Sequence, residues 1–535
     1  MELLISSSTL ILVATLSILV QRQVLSKISV NYVSMLLGGA LAAIPVLNGL
    51  VAKFDPDVFL GLIVAPLLFF EGQRTRMNSV GRNFRQIISL TVGMVILCAV
   101  VAGFGTAWLT TLGLPLAFIL AAISTPTDAT ATESVTAGLI LPARESLSLK
   151  LESLFNDASG IILLNMAILW YVNGYINYGQ TLVDFLYSAG GGVIVGALIS
   201  GVLIYCRQLM LRSRLNFINN TYNNGTPLKV IYLFTPFLIY FVAEELGVSG
   251  IIAVVFAGLV HNAEGERSAF ANPKLAYDNF QILDLVSDIL NSIVFVVLGI
   301  MLVRITTDQS VTTNGSLIWV GVGVILYLAN LLVRYVYARL VHHRNNRTGW
   351  IFALGGIHGA VTFALAFTVA STQVKTADFN LVLMSESVLI ILSMMVPTIL
   401  FRFMLPKQIN DEALAQKIKE IRTEMIRRGV AKVQAMPDLS EEFKKAVTFD
   451  LRSQNGQTSM RDFVSEWQRM VQHDEYTHAQ MNQLVAAYQW VFQTERNYLI
   501  DNYYTHHLIS EDVFNSLYRE VALAEMMVLD YGVQA

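Results

Sequence analysis

Residues 86–127 contain no Asp, Glu, Lys or Arg, 42 positions in a row. A helix needs about 20 largely apolar residues to cross a bilayer, so this stretch has the length of two spans. Gly113-Leu114-Pro115 is the natural place to part them, because a proline opens a helix but does not continue one. Further apolar segments lie at 3–21, 28–52, 57–71, 149–174, 181–206, 227–246, 247–262, 281–303, 314–338, 348–372 and 379–404. Thirteen candidate spans result, and the chain is predicted to be an all-α polytopic membrane protein. The first segment follows Glu2 rather than a basic region and is long for a signal-peptide core, so it reads as a span and not as a cleaved leader.

Charge is scarce, at 14% of residues against roughly 25% for a soluble domain, and it is unevenly spread. From Lys407 onward the chain carries 14 Lys/Arg and 19 Asp/Glu, leaving 42 charged residues for the first 406 positions. The expected organisation is a transmembrane domain over 1–406 and a soluble helical domain over 407–535. A net charge of -3 argues against a nucleic-acid partner, which calls for a strongly basic face. Cys98 and Cys206 sit in apolar stretches and read as packing residues rather than a disulfide or metal pair.

Loops after odd-numbered spans hold seventeen Lys/Arg, Arg207 and Arg344 among them; the other loops hold only Lys53, Arg304 and Lys375. By the positive-inside rule the N-terminus lies outside and the tail in the cytoplasm, as in a multi-pass plasma-membrane protein.

An ionisable side chain inside a span is expensive, which makes function its default reading. Asp128, Glu152, Asp157, Arg334 and, more weakly, His358 fall in this class. The fifth span runs Ser124-Thr-Pro-Thr-Asp128, and Pro126 should break it near Thr125 to Asp128. Glycines in Gly355-Gly-Ile-His-Gly359 permit a matching interruption in the twelfth. Spans five and twelve are equivalent if 1–6 and 8–13 are repeats, and paired interruptions are a pointer to a transporter's binding site. In the sixth span Ser153 and Asp157 share one helix face, and Glu152 and Asn156 another. A hydroxyl and a carboxylate stacked this way offer hard oxygen ligands to an alkali cation. A carboxylate drawn partly out of water can hold a proton or a cation near neutral pH, and not both.

Five stretches, Pro66-Leu-Leu-Phe-Phe-Glu71, Thr125-Pro-Thr-Asp128, Glu152-Ser-Leu-Phe-Asn-Asp157, Gly247-Val-Ser-Gly-Ile-Ile252 and Gly355-Gly-Ile-His-Gly-Ala-Val361, together resemble the monovalent cation:proton antiporter-1 family. These are the sodium/proton exchangers that include the NhaP type. The resemblance implies inverted repeats with two crossed discontinuous helices, and a homodimer whose core moves against a dimerisation domain. It implies Asp157 as the proton and cation carrier, with Thr127, Asp128, Ser153 and Asn156 around the ion. Glu152 would pair with Arg334 and hold two helices in register. Asn before Asp is similar to the electroneutral branch, implying one Na⁺ for one H⁺. Membrane potential, worth roughly 2.3 kcal/mol per charge per 100 mV, would then not drive the cycle.

His358 stands where the family has Arg, which leaves two roles open. One is a pH sensor, given an ordinary titration near pH 6.5; the other is a neutral ring hydrogen-bonded at the crossing. Glu71, beside Arg74 and Arg76, is either modulatory or half of a surface ion pair.

The tail should be helical, starting at Asn410-Asp411-Glu412 and broken at Pro437 and Asn455-Gly456, with Trp467, Tyr488, Trp490, Phe492, Tyr498 and Tyr503 as a small core. His473, His478, His506 and His507 lack zinc spacing. The chain has no HExxH motif, nucleophile elbow or P-loop, so neither an enzyme nor an ATP-driven pump is expected. The expected activity is Na⁺/H⁺ antiport, with Li⁺ also accepted, in the service of pH homeostasis. No cofactor is called for; the partners are the ions, membrane lipids and a second copy. K⁺/H⁺ exchange is the alternative, since selectivity follows cavity size and ligand number. A cation channel is a different class, and no repeated filter loop is evident.

Overall fold

The computed structural model describes residues 2–534 apart from 26–27, 53, 76, 176–177, 213–224, 269–272, 308–316, 370–373, 408–410, 438, 455–460, 462–463, 465–476, 506–508 and 510. Lys53, Arg76, Asn455-Gly456, Trp467, His473, His506 and His507 therefore lie outside the described residues. The chain forms two compact units, Met1–Lys407 and Gln408–Ala535. Among the described residues there are helices and no strand, only an isolated bridge between Leu139 and Lys407.

Helices occupy every candidate span. Among the described residues nine are long and apolar enough to cross a bilayer, from Leu4–Gln23 to Thr376–Met404; Val30–Ala43, Leu114–Ile123 and Gly250–Glu264 are shorter. Pro115 opens Leu114–Ile123 from within its first turn, so the 42-residue stretch divides where the proline requires. The third span contains a π-helical turn at Leu60–Val64, the fourth another at Ser89–Met94. Pi turns free backbone groups, and at the second the Tyr337 hydroxyl donates to the Ser89 carbonyl at 2.8 Å.

Small residues set how closely these helices pack, as expected where lipid gives no hydrophobic drive. At Gly38 a β-carbon would run into the backbone of Val296, and at Gly299 into that of Met35, so the second and tenth spans are in backbone contact. Asn31 adds polar links, its amide donating to the Ser134 hydroxyl and its Oδ1 accepting from Asn291 at 3.0 Å.

Two of the charges assigned to loops are buried in ion pairs, Arg344 from the connection 341–345 and Arg207 from within Tyr178–Arg212. Arg344, 2% exposed, holds Glu145 at 2.7 Å, and Arg207 holds Glu264. Arg304 likewise lies within Pro273–Thr307 and donates to Asn48, Val51 and Ala52, closing the end of the second span. Loop assignment from sequence cannot see such capping, because a guanidinium stem is long enough to reach back to a helix end. Cys98 is buried; Cys206 is exposed on its helix and does not pack inside.

The second unit contains Asp411–Gln434, Glu441–Ser453, His478–Ile500 and Glu511–Gln534. Ser440 caps the helix that follows Pro437, and Thr477 with Gln480 forms a capping box. Tyr488 and Phe492 stack with centroids 6.0 Å apart, while Trp490 points outward, 54% exposed, and does not join the core. No cluster of His, Cys, Asp and Glu able to hold a metal occurs among the described residues.

Candidate ion-binding site

The fifth span stops at Ile123 and resumes at Ala129–Val135; the twelfth stops at Leu354 and resumes at Ala360–Thr368. Each break exposes backbone groups that cannot go unpaired inside a bilayer. They satisfy each other. The Asp128 amide donates to the Ile357 carbonyl at 2.7 Å, and Thr132 Oγ1 donates to the Gly355 carbonyl at 3.0 Å. The Pro126 carbonyl accepts from His358 Nδ1 at 2.7 Å and from the Thr362 hydroxyl at 3.2 Å. Because a carbonyl only accepts, the proton on this imidazole sits on Nδ1. The His358 amide in turn donates to Ser393 Oγ at 3.1 Å.

The sixth span, Ala143–Asn173, runs past this crossing and presents its polar face to it. Ser153 Oγ donates to the Thr127 carbonyl and accepts from the Ala129 amide, both at 2.8 Å. Its hydroxyl therefore stitches the fifth span's break to the sixth helix, a backbone role the spacing with Asp157 does not reveal. Asn156 Nδ2 donates to Thr127 Oγ1 at 2.8 Å. Asp128 caps Ala129–Val135: Oδ1 accepts from the amides of Thr130 and Ala131 at 2.9 and 3.0 Å and from the Thr130 hydroxyl at 2.7 Å. Gly359 lies so close that a β-carbon there would meet the Asp128 carboxylate.

Two oxygens stand apart. Asn156 Oδ1 and Asp157 Oδ1 are buried with no hydrogen-bond partner among the described residues, and the residues are 0% and 2% exposed. Buried acceptors of this kind are costly to leave unmet and are the natural ligands of a proton or a cation. Glu71 ends a buried stretch of Ala65–Gln73, and its neighbour Arg74 pairs with Asp284 at 2.6 Å.

Below the crossing, Arg334 clamps Glu152 in a two-pronged pair, its second nitrogen at 3.0 Å from Oε2. The same guanidinium donates to the Ala353 and Phe352 carbonyls at 3.3 Å, capping the helix that ends at Leu354. Arg334 and Arg344 both lie 4.7 Å from the Phe352 ring centroid. Gly356 is required here, since a β-carbon would strike Arg334. Asn330, one turn earlier, donates to Ser124 Oγ at 3.0 Å, tying the eleventh span to the fifth.

Two groups escaped the reading of the sequence. Glu145 and Arg344 pass for loop charges. Glu386, 0% exposed on Thr376–Met404, has neither carboxylate oxygen partnered among the described residues, and the rule that singled out Asp157 applies to it equally.

The site is thus two broken helices crossing beside a buried carboxylate, within a set of helices long and apolar enough to cross a membrane. The chain belongs to the sodium/hydrogen exchanger family, whose transmembrane description matches residues 9–407. It is 30% identical over 459 residues to a protein of Escherichia coli described as an uncharacterized Na⁺/H⁺ exchanger, covering 80% of each chain. It is 28% identical to a sodium, potassium, lithium and rubidium/H⁺ antiporter of Bacillus pumilus, covering 79% of this chain and 65% of that one. A Bacillus subtilis antiporter of the same description is also 28% identical, with 57% of its length covered. The chain thus spans about three fifths of these two Bacillus relatives. Its fold is similar to that of the sodium proton antiporter MjNhaP1 of Methanocaldococcus jannaschii, with a TM-score of 0.58 at 21% identity over 76% of this chain and 98% of that one.

Proposed function

We propose that this chain is a secondary active antiporter exchanging Na⁺, and Li⁺ with it, for H⁺, with Asp157 binding proton and cation in turn. The observation that carries the reading is the pair of buried, partnerless oxygens on Asn156 and Asp157 at the crossing of the two breaks. Ser153 and Thr127 fix the backbone and the Asn156 amide around them, which leaves the Asn156 carbonyl oxygen turned from Thr127. A cation would take hard oxygens from Asp157, Asn156 and backbone carbonyls, with Asp128 and Glu71 adding negative field. A proton on Asp157 neutralises the same group without a cation. Occupancy by one therefore excludes the other, which is the requirement for exchange.

Asn156 is neutral, so a single carboxylate changes charge at these paired positions, and the proposed stoichiometry is one for one and electroneutral. Thirteen crossings, an outside N-terminus, a cytoplasmic tail from residue 407 to 535, residence in the plasma membrane, a homodimer and a role in pH homeostasis complete the proposal. A second reading, K⁺/H⁺ exchange at the same site, is favoured by the range of ions in the description of the Bacillus pumilus relative.

Proton flux in proteoliposomes challenged separately with Na⁺, Li⁺ and K⁺ tests both. Na⁺ and Li⁺ should drive flux, and Asp157→Asn should abolish it. Undiminished exchange in that variant would sink the carboxylate mechanism. Flux with K⁺ alone would select the second reading.

A further inference from the structure

The tail contains a carboxylate at a position its own pattern reserves for a hydrophobic side chain. Along His478–Ile500 the inward stripe reads Ala487, Val491, Phe492, Glu495 and Leu499, all 2% exposed or less. Val491 belongs to the apolar cluster with Ile426, Val447 and Leu451; Phe492 and Leu499 belong to that with Met425, Val513 and Leu517. Glu495 lies between the two. Neither of its carboxylate oxygens has a hydrogen-bond partner among the described residues. The facing position on Asp411–Gln434 is Gly429, where an added β-carbon would come within 3.2 Å of Val491, 3.4 Å of Glu495 Oε1 and 3.5 Å of Leu451. The glycine brings this helix closest to Val491, with the carboxyl of Glu495 at van der Waals distance beside it.

Among the described residues every charged neighbour is engaged elsewhere or turned out. On Asp411–Gln434, Arg427 and Arg428 hold Glu424 at 2.7 and 3.0 Å, Arg428 also lies over the Tyr498 ring, and Lys432 lies over Trp490. On Glu441–Ser453, Lys444 holds Glu441 at 3.0 Å, Asp450 accepts from Tyr488, and Lys445 and Arg452 are exposed. On the helix itself Arg496 pairs with Glu525 of Glu511–Gln534, where Glu520 is held by Arg422 at 2.7 Å and Arg519 donates to a backbone carbonyl. Asp501, one turn beyond, is exposed. Among the described residues a charge on Glu495 would meet no counterion.

We propose that the Glu495–Gly429 crossing is a pH-operated latch in the tail, closed while the carboxyl holds its proton and loosened when it ionises. Burial alone pushes this carboxyl up from the ordinary range to about 8. The folded form thus keeps a proton the unfolded chain gives up near pH 4.5, and the stabilisation is fully present below that value and lost as pH rises through about 8. An alkaline cytoplasm is the condition that opens the latch. The physiological setting rests on the cytoplasmic placement of the tail proposed above; the latch itself does not depend on antiport.

Hydrogen–deuterium exchange of the full-length chain in proteoliposomes, over peptides covering 420–434 and 484–500, tests it at pH 7 and pH 9 after correction for intrinsic exchange. Between pH 7 and pH 9 protection of both peptides should fall about tenfold in the wild type, most of it before about pH 8. Glu495→Gln and Glu495→Met, neutral side chains of similar length, should hold protection constant between the two pH values. Constant protection in the wild type would overturn the latch. So would an equal alkaline loss in either variant that matches wild-type protection at pH 7, since another group would then be responsible. The readout is tail exchange, so its failure is distinct from a failure of ion transport.

Discussion

At the scale of single residues the site separates groups that carry chemistry from groups that hold shape. Ser153, Asp128 and His358 all spend hydrogen bonds on backbone at the breaks. Ser153→Ala should therefore cost stability of about 1–3 kcal/mol by orphaning the Ala129 amide, measured as a lower unfolding temperature in detergent. His358→Phe should act similarly through Pro126, whereas His358→Arg tests the alternative role. If the histidine is a positioning ring, the activity–pH profile of the arginine variant keeps the wild-type shape. Glu152 and Arg334 form a different kind of pair. Removing one partner leaves a buried charge, and Glu152→Gln should destabilise by about 3–5 kcal/mol. Replacing both, Glu152→Gln with Arg334→Met, should recover part of that loss in the same thermal assay. Full stability of the single variant would show that the pair carries no structural weight.

Among the elements, the breaks are legible in the sequence because proline and glycine act locally. Pro126 interrupts the helix within three residues of itself, and Gly355 to Gly359 supply the matching gap. What those breaks bond to was not legible. The partners of Pro126 are His358 and Thr362, more than 200 positions away, and no spacing rule reaches that far. The same limit hid the backbone role of Ser153, 24 residues from Ala129, and the pairing of Arg344 with Glu145. Glu386, by contrast, is legible: it is an ionisable residue inside the span 379–404, and the rule that marks Asp157 marks it too. Among these elements glycine is the sensitive point. Gly356→Ala should push into Arg334 and Gly359→Ala into the Asp128 carboxylate, so both should lose most exchange activity while still inserting in the membrane. Normal flux from Gly359→Ala would mean the two breaks lie further apart than described.

For the whole molecule, the prediction that follows from one titrating carboxylate is indifference to voltage. Exchange rates in liposomes should be the same with and without a potassium/valinomycin potential; acceleration by an inside-negative potential would require a second carried charge. A further consequence lies in the way the two breaks are bonded. The hydrogen bonds among Pro126, Asp128, Thr132, Gly355, Ile357 and His358 close on themselves, with Ser153 as a third anchor. A ring wired in this manner has no joint of its own. In the antiport proposed above, the ion's surroundings are then set once, when the protein folds. Access from one side or the other then has to change at weaker seams, such as the ring contact of Phe54 with Phe363 at 5.6 Å or the amide link from Asn31 to Ser134. A cysteine bridge across Phe54 and Phe363 should freeze transport, and one between the two breaks should leave it running.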